Sequence, residues 1–201
     1  MKKGFTLIEM LIALVIIGAV LVLTVPQFIT SFNKKTYSAG IQKMYIAVDQ
    51  AVKQMMADER ASAVSRTTLC NTGADTVENT AGAFLKKYFA IETDCGTKMK
   101  PCFADSYRNA KLNDITAKIE ETFDNHYYCV KVTSGGAICL KPLENKDYTQ
   151  IYVDINGSKS PNVMGRDLFY FKIYDDGFVG ERTSRSSAFS KLKNNNWEMD
   201  Y

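Results

Sequence analysis

Gly4-Phe5-Thr6-Leu7-Ile8-Glu9-Met10-Leu11-Ile12-Ala13-Leu14-Val15-Ile16-Ile17-Gly18 decides the fold, because it heads an uncharged run from Met10 to Asn33 and carries one acid, Glu9. As a helix, residues 5–26 span roughly 33 Å, close to a bilayer hydrocarbon core of ~30 Å. A secretory signal peptide has a shorter apolar core with a small-residue cleavage site behind it. Thr24-Val25-Pro26-Gln27-Phe28 offers no such site. A carboxylate inside a membrane span is costly and implies a functional partner. Glu9 lies four residues beyond Phe5, about 6 Å along a helix. An amino terminus created at Phe5 would bring an ammonium close to the same depth. Lys2 and Lys3 keep the N-terminus cytoplasmic, so everything after Phe28 faces away from the cytoplasm.

The helical period continues beyond the apolar run. Ile41, Met44, Tyr45, Val48, Val52 and Met55 form one stripe of a 3.6-residue helix, with Gln42, Lys43, Asp49, Gln50 and Lys53 opposite. Residues 5 to about 56 therefore read as one spine helix, roughly 78 Å long. Its first half is apolar all round and needs lipid or other helices as solvent. Its second half is amphipathic and needs a partner surface from the same chain. Pro26 removes a backbone donor, so a bend or local melting is expected there.

The stretch GFTLIEMLIALVIIG resembles the processing and assembly segment of type IV pilins and of the pseudopilins of type II secretion, over residues 1–30. The resemblance implies an inner-membrane, single-pass prepilin, recognised by a prepilin peptidase and methylase. Cleavage would follow Gly4, and the exposed Phe5 would be N-methylated. It further implies an assembly platform in the inner membrane and a helical filament of this chain or other pilins, either a periplasmic pseudopilus or an extracellular pilus. In a dry helical bundle Glu9 must be neutralised. The Phe5 ammonium of an adjacent subunit would do this and fix the register of addition.

The totals agree with an exported single domain. The 201 residues carry 25 basic and 22 acidic side chains, a formal charge of +3, and loss of Lys2 and Lys3 with a leader leaves the chain nearly neutral. That balance provides no global field for nucleic acid. Five cysteines fit an oxidising compartment, and one of them must stay unpaired within the chain. Cys95 and Cys102 flank a polar loop and suit a small loop-closing disulfide. Cys129 and Cys139 lie on two strands of a hairpin, Tyr127–Val132 and Ala137–Leu140. They face each other if the loop is centred on Ser134, and do not if it is the two-residue Gly135-Gly136. Cys70 is then left over. Further strands are expected at Ile151–Ile155 and Leu168–Tyr174.

The expected fold is α+β: a long N-terminal spine helix, transmembrane in its first half, packed on a C-terminal antiparallel sheet of about four strands. The expected organisation is a leader at 1–4, an assembly half of the spine at 5–28 and its amphipathic half at 29–58. A connecting region with a short helix follows at 59–126, then the sheet at 127–181 and a polar tail at 182–201. The single histidine, His126, with no paired nucleophile and no phosphate-binding glycine loop, disfavours the alternative of a membrane-tethered periplasmic enzyme.

Between the last two expected strands, an Asp-x-Asn-Gly turn, Pro-Asn and Gly-x-Asp-x-Phe resemble a segment of some bacterial pilin-like proteins. Asp154, Asn156, Asn162 and Asp167 there are hard oxygen donors suited to calcium. Equally, Asn156-Gly157 can make a left-handed turn while the aspartates accept backbone N–H bonds. No other cofactor is expected. Arg182, Arg185, Lys191 and Lys193 in the tail raise the alternative of a DNA-binding minor pilin, against the simpler reading of a solvated tail.

Overall fold

The computed structural model describes residues 4, 6–70, 73, 76–123, 126–144, 147–182 and 187–199. The chain divides into two compact units, Met1–Thr36 and Tyr37–Tyr201. Helix α1 (Leu7–Asp58) contributes to both.

In the first unit the helix buries nothing. Leu7 is 81% exposed, Phe28 75% and Phe32 63%. The hydroxyls of Thr24 and Thr30 donate to the carbonyls of Val20 and Pro26 at 2.9 and 3.0 Å, so these polar groups are satisfied inside the helix. An apolar helix whose polar side chains bond to its own backbone is suited to a medium without water.

The second unit is a three-layer α+β arrangement. Its sheet has six strands: β1 (Ile91–Gly96), β2 (Tyr128–Val132), β3 (Ala137–Leu140), β4 (Tyr148–Asp154), β5 (Leu168–Tyr174) and β6 (Val179–Gly180). They lie side by side in chain order, each antiparallel to the next. Two more strands are present than the sequence suggests. β1 lies in the region read as connecting loop, and its pairing with β2 is broken by irregularities at Ile91/Thr93 and Asp94/Gly96. β6 is only two residues long.

One face of the sheet carries the main core. Ile41, Met44, Val48, Val52 and Met55 of α1 pack with Val130, Ile138, Ile151, Val153, Phe169 and Phe171, joined by Phe84 and Leu85 of the short helix α2 (Ala83–Tyr88). The stripe read from the sequence is the buried one, with Tyr45 partly buried at its edge. Alternation along each strand sends the other residues to the opposite face. There Cys129, Cys139, Tyr152 and Leu168 are covered by the segment 97–123, through Phe103, Tyr107, Ile119 of α3 (Thr116–Thr122) and Phe123.

The β2–β3 hairpin has the three-residue loop. Gly135 N–H donates to the Val132 carbonyl, and Val132 N–H to the Gly136 carbonyl, each at 2.8 Å. Gly135 takes φ +93°, a conformation that side chains disfavour. Cys129 therefore stands opposite Cys139, and the two are bonded. Cys95 and Cys102 are also bonded. Cys70 is a free thiol, and burial pushes its pKa up.

The C-terminal region 182–201, read as a polar tail, contributes to the core. Helix α4 (Ala188–Asn194) is capped by Ser187, whose hydroxyl oxygen accepts from Ser190 N–H. Phe189 is 2% exposed and stacks on Phe171 with ring centroids 4.7 Å apart. The Ser38 hydroxyl donates to the Trp197 carbonyl, and the Trp197 ring lies 5.5 Å from Tyr45. The tail is thus tied to α1 by packing and by a hydrogen bond.

Candidate functional site

The start of α1 is a capping box. Thr6 is the last residue before the helix, and its hydroxyl oxygen accepts from Glu9 N–H at 3.3 Å. In return Glu9 Oε2 accepts from the Thr6 backbone N–H and hydroxyl, both at 2.7 Å. Two backbone donors that a helix start leaves unsatisfied are thereby used. The negative carboxylate also sits where the helix dipole favours it. Thr6 as partner of Glu9 is absent from the sequence reading, although Thr-x-x-Glu before an apolar run is a readable signal.

Gly4 is exposed, and a β-carbon built on it would meet nothing within 4 Å. Phe5, the expected methylation site, lies outside the described residues, as do Lys2 and Lys3. From Glu9 to Asn33 no further charge appears, and the helix is long and apolar enough to cross a membrane.

The other residues singled out from the sequence lie in the second unit. Asp154 and Asp167 are both 0% exposed. Asp154 Oδ2 accepts from the Tyr107 hydroxyl at 2.6 Å, and Oδ1 from Asn156 N–H at 3.0 Å. Asp167 accepts N–H bonds from Asn162 and Val163 at 2.6 Å and from Leu168 at 3.1 Å. Gly157 and Asn162 are left-handed, with φ +66° and +55°. The aspartate oxygens are thus engaged by the loop itself. The side-chain oxygens of Asn156 and Asn162 are buried without a hydrogen-bond partner. Among the described residues no three His, Cys, Asp or Glu side chains gather as a metal-ligand set. The geometry is that of a turn held by side-chain acceptors, with the aspartate oxygens bonded and the two asparagine oxygens left over.

Two of the four tail cations are committed. Arg182 pairs with Asp176, its guanidinium 4.4 Å from the Tyr174 ring centroid. Lys193 donates to the Tyr45 hydroxyl at 2.7 Å. Lys191 is exposed, and Arg185 lies outside the described residues.

Residues 1–25 match the family model described as the Prokaryotic N-terminal methylation motif. This is the prepilin-type signal found on type IV pilins and pseudopilins. No curated protein and no solved structure matches the chain.

Proposed function

We propose that this chain is a structural subunit of a type IV pilus or a type II secretion pseudopilus. It enters the inner membrane as a prepilin with its N-terminus cytoplasmic and is cut after Gly4 by a prepilin peptidase. Methylation of the Phe5 amine follows. The subunit then joins a helical filament of this chain or other pilins at an inner-membrane assembly platform, exchanging lipid for neighbouring helices around the first half of α1. Glu9 neutralises the Phe5 ammonium of the adjacent subunit.

The observation that carries this reading is a 52-residue helix whose first half leaves every apolar side chain uncovered while bearing the methylation motif and one acid. Lipid tails and neighbouring apolar helices are similar surroundings for such a surface, so transfer between them needs no refolding. The second unit has its own core and carries two bonded cysteine pairs, as suits an exported domain.

Intact mass of the membrane-extracted protein tests it. Wild type should begin at N-methylated Phe5, and Gly4→Val should retain residues 1–4 and give no filaments. A Gly4→Val chain that still matures to Phe5 would refute the assignment.

A further inference from the structure

The outward end of the apolar run carries polar side chains that its own helix leaves unused. Thr24, Thr30 and Thr36 donate back to the carbonyls of Val20, Pro26 and Phe32 at 2.9 to 3.0 Å, so their hydroxyls are satisfied within α1. Gln27 and Ser31 behave differently. Among the described residues their side chains make no hydrogen bond, and neither Lys34 nor Lys35 joins an ion pair. Gln27, Ser31 and Lys34 follow one another at helical spacing and line one open recess with Pro26 and Thr30. In a helix the Cα–Cβ bond tilts toward the N-terminus, so the stems of Lys34 and Lys35 start back toward the turn that bears Ser31.

Length sets the depth of these groups. The uncharged run from Met10 to Asn33 is roughly 36 Å long as a helix. That is enough to cross a hydrocarbon core of ~30 Å and to bring the two lysines to the level of the lipid phosphates. Long cationic side chains at the end of a span reach for that level. Phe28 and Phe32, both exposed, keep the turn before the lysines in contact with acyl chains. Within residues 1–36 Glu9 is the only acid, and it stands at the opposite end of the run. The recess therefore offers ammonium groups and neutral donors, with no carboxylate beside them. A zwitterionic headgroup would bring a cation that nothing there receives, whereas a phosphate with an uncharged substituent is matched.

We propose that Gln27, Ser31, Lys34 and Lys35 form a binding site for the phosphate of an anionic glycerophospholipid in the outward-facing leaflet. The two ammonium groups balance its charge, and the Gln27 amide and Ser31 hydroxyl donate to its oxygens. A lipid held there fixes both the depth of the helix and its rotation in the bilayer. The site rests on the reading that the first half of α1 spans the membrane with its N-terminus cytoplasmic, and it names the lipid that the subunit holds before assembly.

The test uses the full chain in vesicles of phosphatidylcholine with a minority of phosphatidylglycerol, each lipid offered in turn with a photoreactive group at the top of one acyl chain. Cross-links mapped by mass spectrometry should fall within residues 27–35 and favour the anionic lipid about tenfold, the size of effect that two lysines at a surface allow. Cross-links beside Lys2 and Lys3 report the other leaflet and are counted apart. Lys34→Gln combined with Lys35→Gln should remove the preference at residues 27–35, and the corresponding pair of arginines should keep it. Millimolar inorganic phosphate, at matched ionic strength, should not compete. Equal labelling by the two lipids, a preference that survives the glutamine pair, or displacement by inorganic phosphate would each overturn the proposal. Cross-links between copies of the chain at these residues, in place of lipid, would overturn it in favour of a protein partner. Alkaline extraction separates the two levels of failure. A chain that stays in the membrane without lipid preference refutes this site alone, and a chain that washes off refutes the membrane reading as well. The wild-type mapping needs no variant, so it decides the question whatever the substituted chains do.

Discussion

Glu9 has two candidate duties that a charge-removing substitution can separate. Its carboxylate closes the capping box with Thr6, which glutamine can also do. Its charge is what the filament reading requires for the neighbouring Phe5 ammonium. Glu9→Gln should therefore keep the helix start yet lose filaments as completely as Glu9→Leu, because an unpaired buried ammonium costs about 3–5 kcal/mol. Both variants must first be shown by mass to be cleaved and methylated. Filaments from Glu9→Gln at the wild-type level would assign Glu9 to capping alone. At this scale the sequence is informative where the signal is local. Gly4, Phe5 and Glu9 stand within six residues, and the count of residues around Ser134 leaves only one loop that pairs Cys129 with Cys139. The Tyr107–Asp154 bond joins residues 47 apart in the chain, a proximity that no local pattern reports.

Among the elements, α4 changes the picture most. Phe189 and Leu192 are its buried apolar residues, set among serine, lysine and asparagine, too few for a helical period to stand out. Yet Phe189 touches Phe171, Tyr45 and Trp197. Phe189→Ala should destabilise the second unit by about 3–5 kcal/mol in chemical denaturation, the usual cost of emptying a buried aromatic site. A change below about 1 kcal/mol would return the tail to solvent. The Cys129–Cys139 crosslink invites a similar measurement. Replacing both cysteines by alanine should cost about 3 kcal/mol under the chain-entropy model for so short a loop. β1 escapes sequence reading for the opposite reason to α4. Its run Ile91-Glu92-Thr93-Asp94-Cys95-Gly96 alternates half-buried and exposed residues and includes two acids, so hydrophobicity does not mark it. The stripe on α1 is legible because it repeats over many turns.

For the molecule as a whole, the second unit holds its complete core within residues 37–201. Expressed alone in an oxidising compartment, this unit should fold, oxidise both cysteine pairs and leave Cys70 reactive to a thiol reagent. Peptide mapping without reduction checks the pairing, and a Cys70–Cys95 peptide would overturn it. Its stability should also fall as pH rises from 6 to 8, on the order of 1 kcal/mol per pH unit, because burial pushes the Asp154 carboxyl up to about 8. Denaturation midpoints across that range measure it, and a flat profile would separate the unit's stability from Asp154. The α+β class is legible from sequence because helix and strand periods dominate long stretches. The second layer, on the far side of the sheet, is not. Phe103, Tyr107, Ile119 and Phe123 are scattered through a loop-like segment, and only the fold gathers them.

The meander leaves two free margins, and both are poor templates for another strand. β1 is interrupted by two irregularities and carries Glu92 and Asp94, while β6 offers only two residues. Charges, bulges and brevity are the devices by which natural sheets discourage edge-to-edge aggregation. For a subunit proposed to crowd beside its own copies, this matters. In such a filament, domains held at high local concentration would touch and slide without fusing their sheets, so association would stay reversible and be directed by the helix instead.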